Sequence, residues 1–439
     1  MPESVRAKPR GTSSAGDLRR PVVAGVLGKV VEAATLVLLA TVVPRLLGPA
    51  DYGRLSVALT LVAVGSVAMT LGGATLLARY VPAAPPEQRR GLARALTLRL
   101  ARNRIAPFAL LTLVGAVLAA GGWFPPRETV WVLLALALNV VATLALQADL
   151  GLGRAGAWSA RFPVQNAVLI AAVVALYGAA GVDGAIAGVA VAGTAGLALA
   201  AAATAPLWRA APRVPVDLPP DAARFGLVAA GTGALTQFVQ RGGVVAAALL
   251  STDEETGHAA VAIGVALAPT YAVAQVFVVT LPALSARQAE GAAEPALRRL
   301  AGVLLAAVLP STALAVFAVG VAVPLVLGAA YTNAVAAFPL ALATVVLAPL
   351  NALLLQAAAL RLRPVATLTA ASAGAAVFVG VAVLAVPVWG AAGAAGAALT
   401  GTTAAAVAGV VAVPGAAGWR LVTASLVGAA AVAGWGVFA

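Results

Sequence analysis

Three charged residues interrupt long apolar stretches of this chain: Lys29, Glu32 and Arg241. A charge at the middle of a bilayer costs about 2.5–3.5 kcal/mol on insertion scales, so each needs a partner or a wet cavity. Lys29 and Glu32 stand three residues apart and share a face of a helix. Two readings stand for them. Either Lys29 attracts an anion while Glu32 tunes it or takes up a coupling proton, or the pair is structural, with Lys29 reaching back to the interface. Arg241 follows Gln237 by one turn, with Gln240 beside it and Gly233 extending the same face. A planar guanidinium binds phosphate oxygens bidentately, which suits Arg241 to an anionic ligand. The alternative is that Arg241 caps carbonyls of a neighbouring helix or pairs with Glu32. Asn139, Thr143 and Gln147 recur at steps of four and line one face. Their groups suit sugar hydroxyls, and they equally suit interhelical contacts worth about 0.6 kcal/mol each. Gln165, Asn166, Gln275, Asn351 and Gln356 are weaker candidates of the same kind.

The elements that must position these residues follow from the solvent. Of 439 residues, 62% are hydrophobic and only 10% charged, against about 25% charged in soluble domains. Mean hydropathy is +1.01. No soluble core could bury this much apolar side chain, so lipid must surround much of it. A span needs about 20 apolar residues. Breaks at Pro, Gly and charged residues give thirteen: 22–43, 55–78, 105–122, 129–148, 162–180, 184–205, 225–250, 258–284, 300–320, 338–359, 365–386, 390–413 and 420–438. The predicted fold class is an all-α polytopic membrane protein.

Charge tests the division. With residue 1 in the cytoplasm and the spans alternating, 23 of the 28 Lys and Arg residues fall on the cytoplasmic side and three (Arg45, Arg54, Arg127) on the other. That bias supports both the spans and the orientation. It also accounts for the net charge of +13 without nucleic acid. Residues 1–20 read as a basic cytoplasmic tail rather than a signal peptide, because the following apolar stretch has full span length. Segment 206–224 holds five prolines and reads as a semi-rigid cytoplasmic linker. It divides a six-helix bundle at 21–205 from a second at 225–413, with an additional span at 414–439. Arg241 and Lys29 then lie in the first helices of opposite halves, where one ligand could bridge both. The chain has no Cys and one His, His258, so it holds no thiolate chemistry or metal-ligand spacing. No phosphate-loop motif or other cofactor signature is present.

The halves echo one another. The stretch Leu47-Gly48-Pro49-Ala50-Asp51-Tyr52-Gly53 precedes the second span, and Ser251-Thr252-Asp253-Glu254-Glu255-Thr256-Gly257 precedes the eighth. Each is an acidic turn closed by Gly53 or Gly257. Paired repeats of this kind are common in transporters, with the ligand site between the halves. Asp51 and Tyr52 read as a turn and a gate latch, and the Asp253–Glu255 cluster as a solvated loop. Gly72, Gly73 and the GAAGAAGAA run at 390–398 read as close-packing surfaces.

Pro44 to Gly53 (PRLLGPADYG) and the run TLGGATLLARYVP after it resemble the polysaccharide-type flippases of the multidrug/oligosaccharidyl-lipid/polysaccharide exporter superfamily. Leu327-Gly328-Ala329-Ala330-Tyr331 resembles the loop before that family's tenth helix, and Trp389-Gly390-Ala391-Ala392-Gly393 the start of its twelfth. The resemblance runs in order over residues 20–413; the thirteenth span departs from it. It implies two pseudo-symmetric six-helix bundles around a central cavity, alternating access, and export of polyprenyl-diphosphate-linked oligosaccharide. Lys29 and Arg241 would then face the diphosphate. A lipid II flippase is a close alternative. A cation-coupled multidrug exporter of the same superfamily is another, though it would want cavity acids, and Glu32 is the only one well inside a span. A membrane enzyme lacks the extramembrane constellation it would need. The partners implied are the lipid-linked oligosaccharide, membrane lipids and a coupling ion, H+ or Na+. Ala- and Arg-rich, Lys-poor usage suits a bacterium with GC-rich DNA, hence the plasma membrane.

Overall fold

Where lipid is the solvent, backbone N–H and C=O groups must be satisfied within their own segment, and this chain does so with helices. The computed structural model describes residues 15–70, 72–122, 124–154, 156–210, 222–286, 292–361 and 363–438. Every regular element among them is helical. The first six are α1 (Ala15–Thr70), α2 (Gly73–Ala83), α3 (Arg89–Arg102), α4 (Ile105–Ala120), α5 (Pro126–Gly151) and α6 (Gly156–Ala210). Then follow α7 (Ala222–Leu250), α8 (Asp253–Ala286), α9 (Ala293–Leu327), a 3-10 segment Ala329–Ala337, α10 (Phe338–Leu360), α11 (Pro364–Ala412) and α12 (Trp419–Phe438). Eight helical stretches are long and apolar enough to cross a membrane. Kinks at Gly48, Gly181 and Gly390 divide α1, α6 and α11, so each of these supplies two of the expected spans.

One expected span is interrupted. The stretch 55–78 does not run straight: α1 ends at Thr70, and α2 starts after Gly72, whose φ of 70° is left-handed. A Cβ on Gly72 would overlap the backbone of Gly226 in α7. At the break Arg104 Nε donates to Met69 O at 2.6 Å, near the end of α1, and its Nη1 donates to Leu100 O in the last turn of α3. A cation at a helix C-terminus also complements the helix dipole. Around it, α3 is amphipathic and buries Ala93, Leu96 and Leu100 while carrying five arginines. The linker expected at 206–224 is helical at its edges, since α6 reaches Ala210 and α7 begins at Ala222; residues 211–221 lie outside those described.

The helices form two pseudo-symmetric bundles, α1–α6 and α7–α11, with α12 added against α9 and α10. The symmetry is visible in the backbone. Gly181 (φ 59°, ψ −144°) and Gly390 (φ 50°, ψ −122°) turn the chain between the fifth and sixth spans of each half. Only glycine adopts this conformation freely. Three residues later, Gly184 and Gly393 press on the carbonyls of Leu176 and Ala385, each five residues before its turn. In the C-terminal bundle α10 is buried nearly all round, as its unbroken apolar sequence requires. By contrast α4 buries no residue, and Leu110, Leu113 and Val117 face outward. On α9 and α11, Leu325 and Leu384 are 73% and 77% exposed, the signature of a lipid-facing wall.

The two ends of the molecule differ in charge. The basic end holds α3 and its arginines. Here Glu294 accepts from Arg361 Nε and Nη2 at 2.6 and 2.7 Å, and Arg361 Nη1 donates to Pro414 O at 2.8 Å. The carboxylate holds the Arg361 guanidinium above its ordinary pKa. The other end carries Asp51, Glu128, Asp183 and Asp253–Glu255.

Candidate functional site

Arg241 lies on the face of α7 turned toward α1, because Gly233, two turns earlier, packs against Val67 with a would-be Cβ contact of 3.1 Å. Arg241 Nε donates to Gln237 Oε1 at 3.3 Å and to Tyr271 OH at 3.1 Å. Tyr271 OH in turn donates to Gln237 Oε1 at 3.0 Å, and the guanidinium stands 5.7 Å from the Tyr271 ring centre. The Arg241 charge also reaches Tyr52 across the seam between the bundles. No carboxylate pairs with Arg241 among the described residues. A guanidinium whose partners among the described residues are an amide, a phenol and a π face has N–H groups suited to binding an anion.

The N-terminal bundle contains a second guanidinium. Arg161, read from sequence as a loop residue, is only 3% exposed inside α6. Its Nε donates to Gln165 Oε1 at 3.1 Å, and its Nη2 donates to Asn139 Oδ1 at 3.0 Å and Asn139 O at 3.3 Å. Gln165 Nε2 bonds the same Asn139 Oδ1 at 3.1 Å, and the Phe162 ring lies 5.1 Å from the guanidinium. Asn139 is therefore engaged within its own bundle. The spacing of Arg161 and Gln165, one turn apart on one face, was the signal for this cluster. Thr143 bonds back to Asn139 O at 2.6 Å, and Gln147 is buried, with its Oε1 lacking a partner among the described residues. Asn166 donates to Thr35 at 3.1 Å, and Gln275 is exposed. Lys29 and Glu32 belong to the part of α1 whose side chains lie outside the described residues.

At the acidic end the halves are sealed together. A Cβ on Gly53 would overlap the carbonyl of Asp253, and a Cβ on Gly257 would overlap that of Pro49. The two contacts are reciprocal, and the offset between equivalent residues is the same in both. Only glycine permits so close an approach. One side chain crosses the same seam: Tyr331 OH donates to Pro44 O at 3.0 Å. Within the N-terminal bundle Tyr177 OH donates to Asp51 Oδ2 at 2.8 Å and Arg54 pairs with Glu128, fixing the ends that meet there. Glu255 accepts from the Ala391 N–H at 2.7 Å just past the Gly390 kink, so the cluster read as a solvated loop is partly built in.

Asn351 and Gln356 line a cavity of about 220 Å³ inside the C-terminal bundle, between α7, α8, α10 and α11. Six of its nine polar residues are threonines, and no charged residue lines it among the described residues. Sequence reading missed these threonines, since isolated ones in different helices form no pattern along the chain.

Known structures share this architecture. The chain superposes on the lipid II flippase MurJ in an inward closed conformation with TM-score 0.62 at 11% identity, over 94% of this chain and 91% of that one. A point mutant of the Vibrio cholerae MATE transporter VcmN gives 0.58 at 16% identity, over 90% and 96%. A MOP superfamily transporter from Pyrococcus furiosus gives 0.57 at 13%, over 96% and 99%. The fold is thus that of the MOP transporters, and the chain is a multi-pass membrane protein. Within that class, the model of one family, described as polysaccharide biosynthesis protein, matches residues 42–336, and the chain belongs to that family. None of the curated proteins matches it significantly in sequence.

Proposed function

We propose that this protein moves a polyprenyl-diphosphate-linked oligosaccharide from the cytoplasmic to the outer leaflet of the bacterial plasma membrane. The observation that carries the reading is Arg241. It stands on the inter-bundle face of α7, and its bonded partners Gln237 and Tyr271 are uncharged. A lipid diphosphate would bring the negative charge that Arg241 lacks among the described residues. In this reading Lys29, with Glu32 beside it, meets the same diphosphate from the first half, while Asn139, bonded to Arg161 and Gln165, ties α5 to α6 and is not free for the sugar. The bundles at 21–205 and 225–413 rock against one another. The basic end faces the cytoplasm in this reading, which the positive-inside tendency supports. The reciprocal glycine seal at the acidic end is then the outer gate in its closed state. Family membership supports the saccharide class of substrate. No step hydrolyses the substrate; a proton or sodium gradient, or consumption of the product, would drive it.

The test is translocation in proteoliposomes. A polyprenyl-diphosphate saccharide should cross, and Arg241→Ala should stop it. Transport of a cationic dye instead would overturn the reading in favour of drug export. Lipid II as a second saccharide substrate separates a general flippase from a lipid II flippase.

A further inference from the structure

The cavity inside the C-terminal bundle has an unusual polarity. Thr236 Oγ1 donates to Thr232 O at 2.8 Å, Thr270 to Ala266 O at 2.8 Å, Thr344 to Ala341 O at 2.6 Å and Thr402 to Ala398 O at 2.7 Å. Each hydroxyl has one proton, and each spends it on its own helix. What these side chains offer the cavity they line is therefore lone pairs. Gln240 adds a buried Oε1 with no partner among the described residues. An uncompensated buried amide oxygen costs about 1–3 kcal/mol, so it calls for a donor. Asn351 and Gln356 add two amides, each a donor and an acceptor; the rest of the wall is apolar, mostly Ala, Leu and Val, and among the described residues no carboxylate that would select a cation lines it. The volume of about 220 Å³ is several times the roughly 30 Å³ share of a water molecule.

Acceptors on four helices set in an apolar wall fit an uncharged ligand with several O–H donors and C–H faces, which describes a sugar ring. Position agrees. Thr236 and Gln240 precede Gln237 and Arg241 by one residue each, so α7 shows the cavity one polar face and the bundle seam another, about 100° apart. We infer that this cavity is the saccharide subsite, receiving the first sugars while Arg241 holds the diphosphate. The inference rests on the proposed function and adds where the uncharged part of the substrate sits.

The experiment compares binding of a bare polyprenyl diphosphate and the same lipid carrying a disaccharide to the full chain in nanodiscs. Wild type, Gln240→Leu, Thr270→Val, Thr270→Ser and Arg241→Ala are measured, each checked by thermal unfolding. The disaccharide should improve wild-type affinity about tenfold, the size expected of one or two well-placed hydrogen bonds. Gln240→Leu and Thr270→Val should erase that gain and leave bare-lipid affinity unchanged. Thr270→Ser, which keeps the acceptor, should retain it, and Arg241→Ala should weaken both lipids. Gln240→Leu should also raise the melting temperature of the ligand-free protein, because it removes the orphaned oxygen. A gain that survives Gln240→Leu and Thr270→Val overturns the cavity assignment and leaves the flippase reading standing. A sodium-dependent stabilisation that these two variants abolish would make the cavity a cation site and also overturn the assignment. If neither lipid binds wild type, the proposed function fails and the saccharide subsite falls with it.

Discussion

In the N-terminal bundle, Arg161 is 3% exposed and spends its bonds on Asn139 and Gln165, which also bond each other. In the C-terminal bundle, Arg241 is half-buried, with one nitrogen shared between Gln237 and Tyr271. Beside it lies a cavity lined by threonine hydroxyls and side-chain amides, with no charged residue among those described. The backbones follow the same plan, down to the turns at Gly181 and Gly390. The contents do not. A satisfied, desolvated charge is a structural tie, because any ligand would have to compete with bonds already made in a low dielectric. A charge with spare donors at a seam can take on a ligand without first breaking its environment. A duplicated scaffold can thus carry fixed polar structure in one half and exchangeable chemistry in the other.

The largest expected effect would break this contrast if it failed. Arg241→Ala should cut transport of a lipid-linked saccharide about 100-fold or more, as expected for a buried, charge-assisted contact, with melting close to wild type. Arg161→Met should do the reverse. It strands Asn139 and Gln165 and should cost about 2–3 kcal/mol of stability by thermal unfolding, while the transport rate per folded molecule stays near wild type. Equal losses of transport in both variants would erase the distinction between the bundles. The seam they share offers a smaller effect. Gly257→Ala puts a methyl into the carbonyl of Pro49 and should disfavour closure of the acidic end about tenfold. Because the chain has no cysteine, a single Ala50→Cys at the seam would report closure by its labelling yield with a membrane-impermeant thiol reagent. Gly264→Ala, seven residues along the same helix with open space around it, should leave that yield unchanged. The smallest effect belongs to the basic end, where Glu294→Gln should lower stability by only about 0.5–1 kcal/mol, as partly exposed ion pairs do.

Much of this was legible in the sequence because it follows from the solvent. Apolar length and the placement of Arg against Asp and Glu predicted helices and their ends, since lipid tolerates neither open backbone nor stranded charge. The pairing of Gly53 with Gly257 was readable as a repeat, and the polar stripe Gly233, Gln237, Arg241 was readable as one face. Sequence periodicity says which residues share a side of a helix but not what that side meets. Thus Arg161 read as a loop cation until α5 and α6 enclosed it. Likewise 55–78 read as one straight span, although close approach to Gly226 breaks it at Gly72. The cavity threonines belong to α7, α8, α10 and α11 and converge only when those helices pack. Composition and periodicity determined the solvent, the elements and their polarity. Tertiary packing decided which charge is satisfied and which is left to act, because desolvation depends on neighbours that are distant along the chain.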